Sequence, residues 1–256
     1  MTHPDGPAHP FSPTGPADPT TPTERATADG TQALLRDATH RLVRAVDGMD
    51  DAAYGEPSGL PGWTRGHVVA HLALNAEALA GVLRAVTEGA EPGEIAMYAD
   101  DVQRDADIDA LAAAGATALR TRLYGAVSDL AQALDDLPAD RADVVVERTP
   151  GSERTFRAGD VVTMRLGELE IHGVDLDLGY TPADWPAAFA VSLVDRLAAR
   201  APATLVASDT GHTWQAGDAD APTITGTVAD LGWWLTGRGD GTTLTSDGDL
   251  PRIESW

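Results

Sequence analysis

Four apolar stripes, each repeating every three or four residues, constrain this chain more than any other feature. Leu34, Leu35, Ala38, Leu42, Val43, Val46 and Met49 mark a helix over Thr31 to Met49. Val68, Leu72, Asn75, Leu79 and Leu83 mark a second over Thr64 to Val86, with Thr64 as N-cap and Trp63 as a hydrophobic anchor before it. Ile108, Leu111, Leu119, Leu123, Val127, Leu130 and Leu134 mark a long helix or a broken pair over Asp105 to Leu137, stopped by Pro138. Leu166, Leu169, Gly173 and Leu176 give the packing face of a helix that opens at Gly159-Asp160 and closes at Gly179. Four such helices within 150 residues bury their stripes most readily against one another, as a bundle.

The character changes after Tyr180-Thr-Pro-Ala-Asp-Trp-Pro. A helix over Ala187 to Arg200 is followed by short β-type runs at Ala203 to Ala207, Thr213 to Ala216, Pro222 to Thr227 and Thr242 to Thr245. A further helix, Val228 to Thr236, lies between the last two. The predicted organisation is a four-helix bundle over residues 30–180 and a small α+β domain over 181–256. Residues 1–29 read as a disordered tail: Pro4, Pro7, Pro10, Pro13, Pro16, Pro19 and Pro22 recur every third position among Thr, Ser, Gly and Asp, which favours extended conformations without a core. Docking of this tail into a proline-binding module is the other reading. Ala142 to Phe156, with three consecutive valines, reads as an extended connection holding a short strand.

Three absences narrow the chemistry. All 18 basic residues are Arg, so Schiff bases and phosphate-loop lysines are excluded. Against them stand 40 acids, a net charge of -22, which disfavours a nucleic-acid partner. Such Lys-free, Ala- and Asp-rich usage fits a high-GC bacterial source. Cysteine is absent, so a reaction needing a thiol must receive it from a cofactor. No apolar run approaches the ~20 residues of a membrane span, and the N-terminus lacks a charged start before an apolar core. A cytoplasmic protein with no membrane partner is expected.

The residues with chemical potential gather in two places. In Arg165-Leu-Gly-Glu168-Leu-Glu170-Ile-His172-Gly-Val-Asp175-Leu-Asp177, Glu168 and His172 are four apart and share a helix face. Glu170 is two residues from His172 and points to a different side. His67 and His71 share a face at the start of the second helix, beside Trp63 and Arg65. One pair alone reads as well as a solvated surface contact. Two pairs on two helices suggest nitrogen and oxygen ligands with an open position, a set that suits catalytic zinc. Asp175 and Asp177 are candidates to orient a ligand histidine, or surface acids. Arg238 lies just past a helix C-terminus, either as a simple cap or as a cation for substrate. His40 reads as a packed or half-exposed residue. No nucleophile elbow, H-E-x-x-H or Walker motif is present, and the glycines of 237–241 follow a helix where a phosphate cradle would precede one.

Pro61-Gly-Trp63-Thr-Arg65-Gly-His67-Val-Val-Ala-His71-Leu, followed by Asn75, resembles the N-terminal signature of the mycothiol-dependent maleylpyruvate isomerase family. Glu168-Leu-Glu-Ile-His172-Gly-Val-Asp175-Leu is similar to its second signature, and Gly226 to Arg238 to the end of its C-terminal module. The resemblance covers residues from about 30 to 256. It implies a DinB-like bundle followed by a sterol-carrier-like module, with His71, Glu168 and His172 as ligands of Zn2+ or another divalent metal. His67 matches a histidine that is not a ligand. The implied cofactor is mycothiol, with Arg65 and Arg238 as cofactor- or substrate-binding cations and Arg238 as the catalytic one. Gly167 stands where many relatives have Arg, and residues 88–100 match nothing recognisable.

The implied reaction is thiolate addition to an activated cis alkene, rotation and elimination, acting on a small anionic or electrophilic substrate in a monomer or weak dimer. Two further readings stand beside it. One is a mycothiol S-transferase that keeps the conjugate, and the other is a non-catalytic binding protein or inert bundle on the same scaffold.

Overall fold

The computed structural model describes residues 22–218 and 220–254; the expected tail over 1–21 lies outside them. Among the described residues, the first helix, α1, spans Pro22–Asp47, so residues 22–29 are helical and do not belong to an extended tail. Proline is accepted at a first helical position because its missing N–H would be unpaired there anyway. Glu24, Arg25, Ala26 and Ala28 then favour propagation. Helix α2 is Arg65–Thr87. The third apolar stripe resolves into a broken pair, α3 (Asp101–Ala113) and α4 (Ala116–Asp136). The break falls at Gly115, whose φ of 90° disfavours any side chain and redirects the backbone. Helix α5 is Val161–Asp175.

The bundle proper is α1, α2, α4 and α5, with α3 packed across α2. Val68, Leu72, Leu79 and Leu83 of α2 are fully buried, as are Leu119 and Leu123 of α4. By length and composition α2 is apolar enough to cross a membrane, closer to a span than its sequence suggests. Most of its surface is covered by the other helices, which is how a central core helix earns the same composition.

Between α4 and α5 a hairpin forms from β1 (Val145–Glu147) and β2 (Thr155–Arg157), with Val146 opposite Phe156. The unreadable loop before α3 is laid along β1: Met97 N–H donates to the Glu147 carbonyl at 2.9 Å and Tyr98 N–H to that of Arg148 at 2.9 Å. Backbone pairing, invisible as a side-chain pattern, thus brings Tyr98 toward the bundle.

Beyond α5 follow α6 (Ala187–Leu197), β3 (Thr204–Ala207), β4 (Thr213–Gln215), β5 (Thr223–Gly226), α7 (Val228–Leu235) and β6 (Thr245–Ser246). The sheet order is β4-β3-β5-β6, parallel between β3 and β5 and antiparallel elsewhere. Helix α7 packs on β3 and β5 and against α6. The class is mixed α+β, a bundle followed by a small α/β layer.

These two regions share one apolar core, which runs from Leu35 and Leu72 through Leu176 to Leu193, Leu205 and Trp234. Trp185 is the seam. Its ring meets Phe189 at 5.2 Å and Trp233 at 5.9 Å, and its indole N–H donates to the Glu170 carbonyl of α5 at 3.1 Å. Trp185→Ala should therefore lower stability by about 3–5 kcal/mol in chemical denaturation. The wild type should unfold in one transition by circular dichroism and by Trp fluorescence. Separate transitions by the two probes would show that residues 181–256 fold independently of the bundle.

Candidate metal centre

The start of α2 fixes the directions of its two histidines. Thr64 caps the helix by accepting from His67 N–H, and the His67 ring returns the bond, its Nδ1 accepting from Thr64 N–H at 3.2 Å. An imidazole here does what Glu does in the usual capping box. His67 Nε2 lies 3.6 Å from Asp109. His67 is thereby committed to the helix end, consistent with its expected exclusion from the ligand set. One turn on, His71 is 5% exposed and faces α5 with its ring against Trp63.

Helix α5 supplies Glu168 and His172. His71 Nε2 is 2.9 Å from Glu168 Oε2, and His172 Nε2 is 3.4 Å from the same oxygen. The three donor atoms lie within 4.8 Å of one another. Both Nε2 atoms approach one carboxylate oxygen, so the three donor atoms face a common point. Two nitrogens and an oxygen on two rigid helices form a donor set that fits a divalent metal with a coordination position left for a ligand.

The charge states of His71 and Glu168 agree with that use. Burial pulls the His71 imidazole down to about 4, leaving it neutral with a lone pair to donate. Burial by itself raises the Glu168 carboxyl, but hydrogen bonds with His172 and His71 outweigh it and hold the group well below the usual carboxylate range. Burial likewise works to lower His172, and its bonds to Asp175 and Glu168 more than reverse this.

Behind His172 stands Asp175, whose Oδ2 is 2.8 Å from His172 Nδ1. That contact turns Nε2 toward Glu168. Asp175 also accepts from Arg238 Nε, at 3.0 Å from each carboxylate oxygen. Arg238 is therefore not a simple cap of α7. It reaches α5 beneath the triad, and its two Nη nitrogens make no hydrogen bond with the described residues. Asp177 plays no such part: it offers only its carbonyl, to Arg65 Nη2 at 3.0 Å.

The expected cofactor-binding Arg65 is fully engaged elsewhere. Its Nε donates to the Leu176 carbonyl at 2.9 Å and its Nη1 pairs with Glu56. Every guanidinium nitrogen has a partner, so Arg65 ties the start of α2 to the end of α5 and presents no free face. Glu170 sits on the side of α5 away from the triad, fully buried, with Arg41 Nη2 at 2.6 Å and Tyr180 Oη at 2.5 Å.

Other side chains around the triad were not legible in the sequence. Arg104 of α3 places Nη2 3.3 Å from His71 Nδ1, from a position just ahead of the helix expected to start at Asp105. Tyr98 lies between the guanidinium groups of Arg104 and Arg148, at 5.7 and 5.3 Å. Arg196, from α6, puts its Nη2 3.3 Å from where a Cβ of Gly167 would stand. It is exposed and makes no ion pair or hydrogen bond among the described residues. Its signal was Gly167, next to the candidate ligand Glu168, where the resemblance leads one to expect Arg and where the Arg196 guanidinium occupies the space beside the missing Cβ.

A family model, the mycothiol maleylpyruvate isomerase N-terminal domain, matches residues 35–177. Among solved structures, a mycothiol-dependent maleylpyruvate isomerase superposes with a TM-score of 0.78 at 27% identity, covering 90% of this chain and 97% of that one. A histidine-to-alanine mutant of a mycothiol-dependent maleylpyruvate isomerase superposes equally well, TM-score 0.78 at 26% identity, with the same coverage. No curated protein matches the chain. With more than half its length matched by the family model, the chain belongs to the mycothiol maleylpyruvate isomerase N-terminal domain family.

Proposed function

We propose that the protein is a metal- and mycothiol-dependent isomerase of maleylpyruvate or a closely related activated cis alkene. The observation that carries this reading is the convergence of His71, Glu168 and His172 on one point in a chain that has no cysteine of its own. A divalent metal held by those three residues, zinc by its donor set, would supply the Lewis acidity that keeps a thiol ionised at neutral pH. Mycothiol would supply the sulfur, whose reversible addition removes the double-bond character and lets the substrate turn.

The chain's own work is placement. Asp175 orients His172, and Arg238 holds Asp175 while keeping two Nη nitrogens for a ligand. Arg196 is a second free cation on the other flank of Glu168. Maleylpyruvate carries a carboxylate at each end, so two separated guanidinium groups suit it, each as a charge-assisted anchor. Holding both ends while the central bond turns limits unproductive conformers. Local cations are needed because the net charge of -22 repels an anion at long range. Trp63 walls the His71 side of the site.

The deciding experiment combines metal analysis with an assay. Protein purified without added metal should hold one equivalent of zinc, and should convert maleylpyruvate to fumarylpyruvate only when mycothiol is present. Accumulation of a stable thioether without fumarylpyruvate would replace the isomerase with an S-transferase. A metal-free wild type that cannot be loaded would sink both.

Three sets of variants test the residue roles. Glu168→Gln should lose the metal, whereas Glu170→Gln should keep it and lose about 1–3 kcal/mol of stability, the cost of leaving the half-exposed Arg41 without its buried partner. Asp175→Asn should weaken metal affinity by about 10–100-fold by freeing the His172 ring. Arg196→Gln should raise KM for maleylpyruvate by about 10-fold or more without changing metal content or KM for mycothiol; an unchanged KM would make it a surface residue.

A further inference from the structure

A cavity of about 520 Å3 opens between α1 and α4, on a face of the bundle that shares no residue with the triad. Its walls are apolar: Leu35 and Val43 from α1, Val127, Leu130 and Leu134 from α4. Its polar groups are of one sign to a degree unusual for this chain. Arg36, His40 and Arg44 stand at i, i+4 and i+8 along α1 and line the opening, with Asp135 as the one acid. In a protein where acids outnumber arginines by more than two to one, Arg36 and Arg44 make no ion pair or side-chain hydrogen bond among the described residues.

Arg165 of α5 also lines this cavity and is 2% exposed. Its Nη1 donates to the neutral amide oxygen of Asn75 at 2.7 Å; its Nη2 is buried with no hydrogen-bond partner among the described residues, and the Glu168 carboxylate three residues on acts on the charge only through its field. Burial pulls this guanidinium down to about 10, so it remains charged at neutral pH. A buried cation with an unanswered donor is costly and calls for an acceptor. An apolar cavity of this size with few polar groups has the form of a small-ligand site.

We infer that the α1–α4 cavity binds a small anionic amphiphile, a carboxylate on a medium-length hydrocarbon chain. The chain lies along Leu35, Val43, Leu130 and Leu134, and the carboxylate meets the arginines. No neutral or cationic amphiphile would answer Arg165, Arg36 and Arg44. The cavity shares no lining residue with the triad, and the inference does not depend on the metal assignment.

Isothermal titration of the full chain with decanoate, decanol and decyltrimethylammonium tests this directly. Decanoate should bind saturably at one site, at least about 10-fold more tightly than decanol, and the cation should not bind. The double variant Arg36→Gln/Arg44→Gln changes only exposed side chains and should weaken decanoate several-fold. Ala131→Trp, on the exposed rim of the cavity, should fill it and abolish binding while the circular dichroism melt stays unchanged. Equal affinity for decanol, absence of saturable heat, or full binding by Ala131→Trp would each overturn the inference. Displacement of decanoate by a synthetic peptide of residues 1–21 would give the groove to the chain's own N-terminal segment and overturn it as well.

Discussion

The carboxylate of Asp175 is the contact on which the arrangement of the site depends. It is nearly inaccessible, 1% exposed, and it joins three parts of the chain. Its side chain receives His172 from its own helix and Arg238 from beyond α7. Its backbone carbonyl accepts from Gly59 N–H at 2.7 Å, from the loop ahead of α2. One residue at the end of α5 therefore fixes the His172 ring, anchors the C-terminal layer and positions the approach to α2. A charge so enclosed is tolerable only because its acceptors are satisfied by a guanidinium and an imidazole.

Helix α5 illustrates how a short element can serve two unlike purposes. Glu168 and Glu170 are two residues apart, and a helix sends them to different sides. One faces His71 and the other is sealed with Arg41 and Tyr180. Both are carboxylates in apolar surroundings, yet their partners make one a ligand candidate and the other a structural ion pair. Residue type did not distinguish them; angular position did.

Much of this was legible from residue order, because periodicity reports which face of a helix is buried. The α2 and α5 stripes located the core, and the i,i+4 pairs located His67 and His71 on one helix and Glu168 and His172 on the other, with the family resemblance separating His71 from His67. What periodicity cannot report is where a long polar chain ends. Arg65, Arg238 and Arg196 are all single arginines near helix ends; the structure ties the first to Leu176 and Asp177, the second to Asp175, and leaves the third free beside Gly167. Likewise Tyr98 arrives through backbone pairing of its loop with β1, which leaves no trace in side-chain pattern. The extension of α1 back to Pro22 was hidden by the proline repeat, whose last member happens to be compatible with a helix start.

The reciprocal bonds between Thr64 and His67 set the phase of a helix as well as its beginning. Each residue of an α-helix advances the side-chain direction by about 100°. With the first turn latched in place, the azimuth of His71 is decided seven residues after the cap, before any contact with α5 is made. The geometry of α2 thus behaves like a keyed shaft. The face that carries His71 is indexed from the capping residues, and evolution can vary the exposed side of the helix freely but cannot add or remove a single residue between Thr64 and His71 without turning that imidazole out of the bundle.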